Sequence, residues 1–217
     1  MTGLLLLALL AAPAAAQVAS LPPRDVGAED PSFLTFRAHL LAAAAARDTT
    51  AVLRAFTPDA TISFGGDRGP EGVRRVWFNP EYTPEPGFDF FSVFVRTVAM
   101  GSAMEGGIVS APYLFLDVPG EYDPFEHVVV VGEQVRIRSE PSLQGEVLGS
   151  LTYQVVEAPL GAPGPVEADG YTWMPIRLNT GQRAWVADRF VWSPIGHRAG
   201  FEKRDGTWKV IYFVAGD

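Results

Sequence analysis

The stretch Trp208–Val214 constrains this chain more than any other, because it reads as a strand with no polar face. Trp208, Val210, Tyr212 and Val214 fall on one side of an extended chain, and Ile211 and Phe213 on the other. Such a strand belongs inside a sheet covered on both sides, since a half-solvated strand alternates polar with apolar. It follows Arg204-Asp205-Gly206-Thr207, and Asp-Gly between two apolar runs signals a hairpin, so His197–Lys203 is read as the partner strand. A lone hairpin is marginal in water, so this tail must join a sheet built elsewhere in the chain.

The expected host is the N-terminal part. After a polar lead, Asp30 offers a cap acceptor and Pro31 fits the first helical position. Phe33, Phe36, Leu40, Leu41 and Ala44 then recur at helical spacing, which predicts a helix over Pro31–Arg47 facing a core. Asp48 caps a second helix carrying Val52, Leu53 and Phe56. Thr57-Pro58-Asp59 ends it before the alternating strand Ala60–Phe64. Gly65–Pro70 reads as a turn, Glu71–Phe78 as a short helix, and Asn79–Gly87 as a loop broken by three prolines. Phe88–Met100 fits either a helix facing inward with Phe91, Val95 and Val98 or a buried strand, its length favouring the helix, and Ile108–Val118 reads as a strand.

Residues 128–193 change character. Six short β-rich runs, Val128–Val131, Val135–Arg138, Val147–Leu151, Val155–Ala158, Thr172–Leu178 and Arg183–Ala187, are separated by turns at the spacing of a small barrel. Residues 161–165 with Asp169-Gly170 read as a hairpin loop with a mobile tip. The fold expectation is therefore α+β. One helix-and-sheet domain is assembled from 31–120 plus 197–217, and an all-β barrel over 127–193 is inserted between its two parts.

Residues 2–12 are almost wholly apolar and run into Ala14-Ala15-Ala16, the small-residue pattern of a cleavage site. Met1–Ala16 is read as a signal peptide and the protein as exported, periplasmic or extracellular. The chain has no cysteine, which removes disulfides, thiolate chemistry and a lipoprotein anchor. No later run is long enough to span a membrane. A net charge of −8 with scattered arginines argues against nucleic acid as a partner.

The run Gln134-Val135-Arg136-Ile137-Arg138-Ser139-Glu140-Pro141-Ser142 resembles the opening signature of bacterial SH3 domains, with Arg136 where asparagine is usual. Gly145–Leu151, Tyr171–Arg177 and Gly181–Val191 are similar to that family's later strands. Tyr153-Gln154 departs from the usual Lys-Gly turn, and the loop at 159–169 is longer. The flanks, through Ala43–Phe64 and Gly206–Ile211, resemble NTF2-like, cystatin-type domains, which curl a sheet around a helix to form an apolar pocket.

Candidate chemistry is sparse. The three histidines, His39, His127 and His197, show no ligand spacing, so neither a metal nor a cofactor is expected. No Gly-x-Ser-x-Gly elbow occurs. Gly65–Pro70 lacks the Lys-Ser/Thr of a nucleotide loop, and Asp123, Glu126 and His127 read as a solvated linker. What remains is aromatic. Tyr153, Tyr171 and Trp173 are expected at the barrel surface as ligand-binding rings, with Trp185 and Phe190 in its core. The functional expectation is a non-catalytic binding protein recognising a peptide or a cell-wall component such as peptidoglycan. The alternatives are an enzyme or small-ligand binder using an NTF2-like pocket, and a structural module with an occluded groove.

Overall fold

The structure is a computed structural model describing residues 18–79, 81, 88–158 and 163–216. The expected signal peptide, most of the Asn79–Gly87 loop and the first part of the 161–165 hairpin loop lie outside the described residues.

The protein mixes helices with two sheets. Asp30 caps α1 (Pro31–Ala45), its carboxylate accepting from the amides of Ser32 and Phe33, and Asp48 caps α2 (Thr49–Arg54) through Ala51 N–H. Strand β1 follows at Phe56–Thr61, earlier than expected. Pro58 is tolerated there because β1 is the edge strand of its sheet. Then come α3 (Gly69–Trp77) and α4 (Phe90–Ala99), with Asp89 accepting from Phe91 N–H at the start of α4. The two glycines 106 and 107 turn β2 (Ala103–Glu105) back onto β3 (Ile108–Ala111). The strand expected to continue to Val118 stops here, since Pro112 has no N–H for a ladder. The chain instead makes the single helical turn α5 (Leu114–Asp117).

The second sheet follows: β4 (His127–Val130), β5 (Val135–Arg138), β6 (Val147–Leu151), β7 (Val155–Glu157), β8 (Val166–Ala168), β9 (Tyr171–Arg177), β10 (Arg183–Ala187) and β11 (Val191–Trp192). Its order is β11-β4-β7-β9-β10-β5-β6, with β8 pairing β9 across the Asp169-Gly170 turn. The part of the expected loop at 166–168 is thus a strand. Among the described residues the end strands β6 and β11 are not paired with each other, so the ladder does not close into a barrel.

The tail returns as β12 (Arg198–Arg204) and β13 (Thr207–Val214). The five-stranded sheet runs β1-β13-β12-β3-β2, with β13 parallel to β1 and antiparallel to β12. Strand β13 is an interior strand, but its faces are not those expected. Trp208, Val210 and Phe213 share one core. A bulge causes this: Val210 pairs Phe201 and Tyr212 pairs Gly200, so Ile211 is the extra residue and the inward parity shifts by one. Gly200 is required, because a Cβ there would lie 2.0 Å from the Tyr212 ring. The tyrosine hydroxyl meets that of Ser110 at 2.7 Å.

Three apolar cores result. Rings from α1, α4, β12 and β13 fill the first, and valines and isoleucines of the second sheet fill another. A third, at the junction, joins Ala103, Tyr113 and Leu114 to Val129, Val155 and Trp192. The lead segment is more than polar linker. Its backbone pairs with the second sheet (Leu21 N–H to Tyr153 O, 2.7 Å) and with the residue preceding β2 (Val26 N–H to Ser102 O, 2.9 Å), strapping the two sheets together.

Candidate functional site

The alternation Val135-Arg136-Ile137-Arg138 sends the apolar pair into the valine core and the two arginines to the other face of β5. There they line a groove of about 270 Å³. Strand β9 contributes Tyr171 and Trp173, the turn after β10 contributes Arg189 and Phe190, and the β5–β6 loop contributes Leu143. Each wall is fixed by a specific contact. Arg138 Nη1 donates to Gly145 O at 2.8 Å, tying down the β5–β6 loop. Asp169 accepts from Leu143 N–H at 2.7 Å and from the Ser142 hydroxyl at 2.9 Å, and those bonds, the backbone one first, hold its carboxyl below the usual range. Trp173 Nε1 donates to Ala168 O at 3.0 Å.

The Arg189 guanidinium sits 4.6 Å from the Tyr171 centroid and 4.7 Å from that of Phe190. Stacking of this kind holds a cation in place without neutralising it. Neither Arg136 nor Arg189 takes part in any of the ion pairs of the described residues. Among the described residues, Glu133 is the only acid lining the groove. On a chain of net charge −8, the site is a local patch of cationic and aromatic groups.

Of the three rings expected to act together, the structure joins only two. Tyr171 and Trp173 lie 5.9 Å apart in the groove, though Trp173 is 3% exposed and forms part of the fold rather than a free surface ring. Tyr153 lies elsewhere, in a cleft of about 410 Å³ with Arg24, Met100, Tyr113 and Val131. Its φ of 50° places it in the left-handed region that favours glycine. Phe190, expected in the core, is half-buried and lines the groove, and Trp185 is likewise half-buried. Sequence reasoning passed over Arg138, Leu143 and Arg189. The Arg-x-Arg alternation beside two buried aliphatics was the available signal for the first. Arg189 becomes a site residue only because β9 brings Tyr171 under it.

The histidines are dispersed. His39 is exposed on α1. His197 is enclosed by Trp77, Phe213 and Phe88 at centroid distances of 5.0, 5.4 and 5.6 Å. Burial, and then the neighbouring Arg198, pushes its pKa down to about 4, so it is neutral at pH 7. Its Nε2 and Trp77 Nε1 are buried without hydrogen-bond partners, but the rings pack directly on one another. In the 65–70 turn, Asp67 accepts from the Ser63 hydroxyl and pairs with Arg75, so a carboxylate anchors the turn to α3. Among the described residues no group of three or more His, Asp or Glu is placed to hold a metal ion, and no helix is long and apolar enough to cross a membrane.

No family model and no curated protein matches the chain. Among solved structures, one similar chain is described as a calcium/calmodulin dependent protein kinase II association domain from Xanthomonas campestris. It is 13% identical, covers 94% of this chain and 97% of its own, and has a TM-score of 0.26.

Proposed function

We propose that this is an exported, non-catalytic binding protein whose second sheet, read as an SH3-like module set into an NTF2-like α+β domain, recognises a peptide or cell-wall component in the groove between β5, β9 and the β10–β11 turn. The carrying observation is that Arg189 stacks on the Tyr171 and Phe190 rings in a groove that Arg136 also lines, neither arginine being held by a carboxylate among the described residues. An extended ligand with carboxylates would place its acids on the guanidiniums and its apolar atoms on the rings, the division of labour seen where arginine and tyrosine dominate recognition. The enclosed valine interior of the sheet and the turn signatures around it support the SH3-like reading.

The junction core lies at Val129, Val155 and Trp192, while Arg136, Leu143 and Arg189 on the groove are exposed. Among the described residues the exposed groove side chains are thus distinct from the junction core, which supports an open groove. Co-sedimentation with purified peptidoglycan, and calorimetric titration with a glutamate-rich peptide, test the proposal. Wild type is expected to bind, and Arg189→Ala and Tyr171→Ala to bind weakly. Absence of retention by folded wild type in both assays would refute it.

A further inference from the structure

Besides the groove, the second sheet carries a larger cavity of about 520 Å³ on another part of its surface. We infer that it is a second binding site, for a neutral pyranose sugar. Three adjacent strands supply its polar row. His127 of β4 pairs Glu157 of β7, and Glu157 pairs Arg177 of β9. Residues directly opposite in antiparallel ladders share a face, so imidazole, carboxylate and guanidinium stand side by side.

Each group is held in place. Glu157 Oε1 accepts from Arg177 Nη1 at 2.9 Å. The His127 ring approaches Asp123 O through Nδ1 at 3.0 Å, an approach to a carbonyl that assigns the proton to Nδ1 and leaves Nε2 as an acceptor. The Tyr122 ring lies 5.2 Å from the imidazole, edge to face, and its hydroxyl accepts from Ala19 N–H at 3.1 Å.

An exposed glutamate–arginine pair by itself contributes little and needs no ligand to explain it. The cavity beside the pair, and the aromatic and aliphatic surface within it, set this pair apart. Glu157 and Arg177 neutralise each other, which disfavours an ionic guest. What they leave unused is an array of acceptors and donors: the second carboxylate oxygen, the remaining guanidinium N–H groups and the imidazole Nε2. Tyr122 and Leu178, both half-buried, provide an apolar surface next to that array. A guest that is uncharged, rich in hydroxyls on its edge and apolar on its face satisfies both halves, and a pyranose has that division. The volume lies within the range of small-molecule sites.

The inference is independent of the groove, since the two sites share no lining residue. Calorimetric titration of the full chain with two uncharged trisaccharides, chitotriose and maltotriose, tests it and shows whether an acetamido group is needed. Wild type is expected to bind at least one of them. Glu157→Gln should weaken that binding by about tenfold, the worth of one charge-assisted hydrogen bond. Tyr122→Leu, which removes the ring, should not bind. Tyr171→Ala, in the groove, should leave sugar binding unchanged. A folded wild type that takes up neither sugar at roughly millimolar concentration overturns the inference. So does a Glu157→Gln protein with wild-type affinity, or a sugar affinity that falls with Tyr171→Ala.

Discussion

The two sheets of this protein fill their interiors with different side chains, and the difference separates the scaffold from the candidate surfaces. Behind the five-stranded sheet the core is made of large rings, with Phe33, Phe94, Phe201 and Phe213 all fully buried and the pairs Phe33–Phe201 and Phe94–Phe213 meeting edge-on at 5.3 and 5.1 Å. The eight-stranded sheet packs Val130, Ile137, Ile176 and Val186 together as small branched units, with Tyr171 and Phe190 outside the buried cluster. The first core is packed ring against ring. An aliphatic core frees Tyr171 and Phe190 to line a groove.

If that contrast is right, the largest stability loss from a single truncation belongs to the ring core. Phe94→Ala should cost about 3–5 kcal/mol, the usual cost of removing a buried phenylalanine and leaving part of its cavity. Urea denaturation followed by circular dichroism measures it. An effect under about 1 kcal/mol would mean that the ring core is loosely packed, against the contrast drawn above.

The same core should make the protein sensitive to acid. His197 has a folded pKa of about 4 against an unperturbed value near 6.5. A histidine depressed in this way contributes its stability in full above pH 6.5 and loses it as the pH falls towards 4, because the unfolded chain takes up the proton first. The loss amounts to about 3 kcal/mol across that window. Denaturation midpoints measured from pH 7 to pH 4 should fall for wild type. His197→Leu, which cannot titrate, should show a flatter profile. Equal slopes in the two proteins would assign the acid sensitivity to other groups.

How much of this was legible in the sequence depended on whether a signal was local. The caps at Asp30 and Asp48 and the hairpin at Asp205-Gly206 were legible because each is decided within a few residues, whereas the helix over Phe90–Ala99 was separable from a buried strand only by the length of its apolar run. The parity of β13 was not, since the bulge that shifts it lies in the pairing with Gly200 and Phe201. The lead segment was misread for a similar reason: its hydrogen-bond partners, Tyr153 and Ser102, lie far along the chain. At the candidate site, aromatic content pointed to Tyr171. It said nothing of Arg189, whose place depends on a turn meeting a strand, and it grouped Tyr153 with rings that the fold sets apart.

Next in size is an effect on binding rather than stability. Arg189→Ala should weaken a glutamate-rich peptide by about tenfold, consistent with loss of one cationic contact. It should leave the denaturation midpoint nearly unchanged, since the side chain is exposed. The wild-type affinity should also fall with added salt, and the variant's less steeply. A stability loss matching the binding loss would place Arg189 in the fold and not in recognition.

The smallest expected effect tests whether the two regions act on each other. Arg96 of α4 reaches out of the helical layer, and its Nη2 donates to the carbonyls of Asp188, Arg189 and Val191 at 3.2, 3.3 and 2.6 Å. Those carbonyls belong to the turn that presents Arg189 and Phe190 to the groove. One guanidinium thus gathers three acceptors that would otherwise face water, and it fixes the backbone beneath two groove residues. Arg96→Met keeps the aliphatic stem but removes the donors. It should lower peptide affinity by a factor of about 3, because a groove wall that must be ordered on binding costs part of the binding energy. Arg96→Lys, with one ammonium in place of the fork, should fall between the two. The turn amides after Arg189 should exchange with deuterium faster in Arg96→Met than in wild type, whereas those of β5 should not. If affinity and exchange are both unmoved, the helical layer carries the second sheet without shaping its groove, and the contact is only a tether.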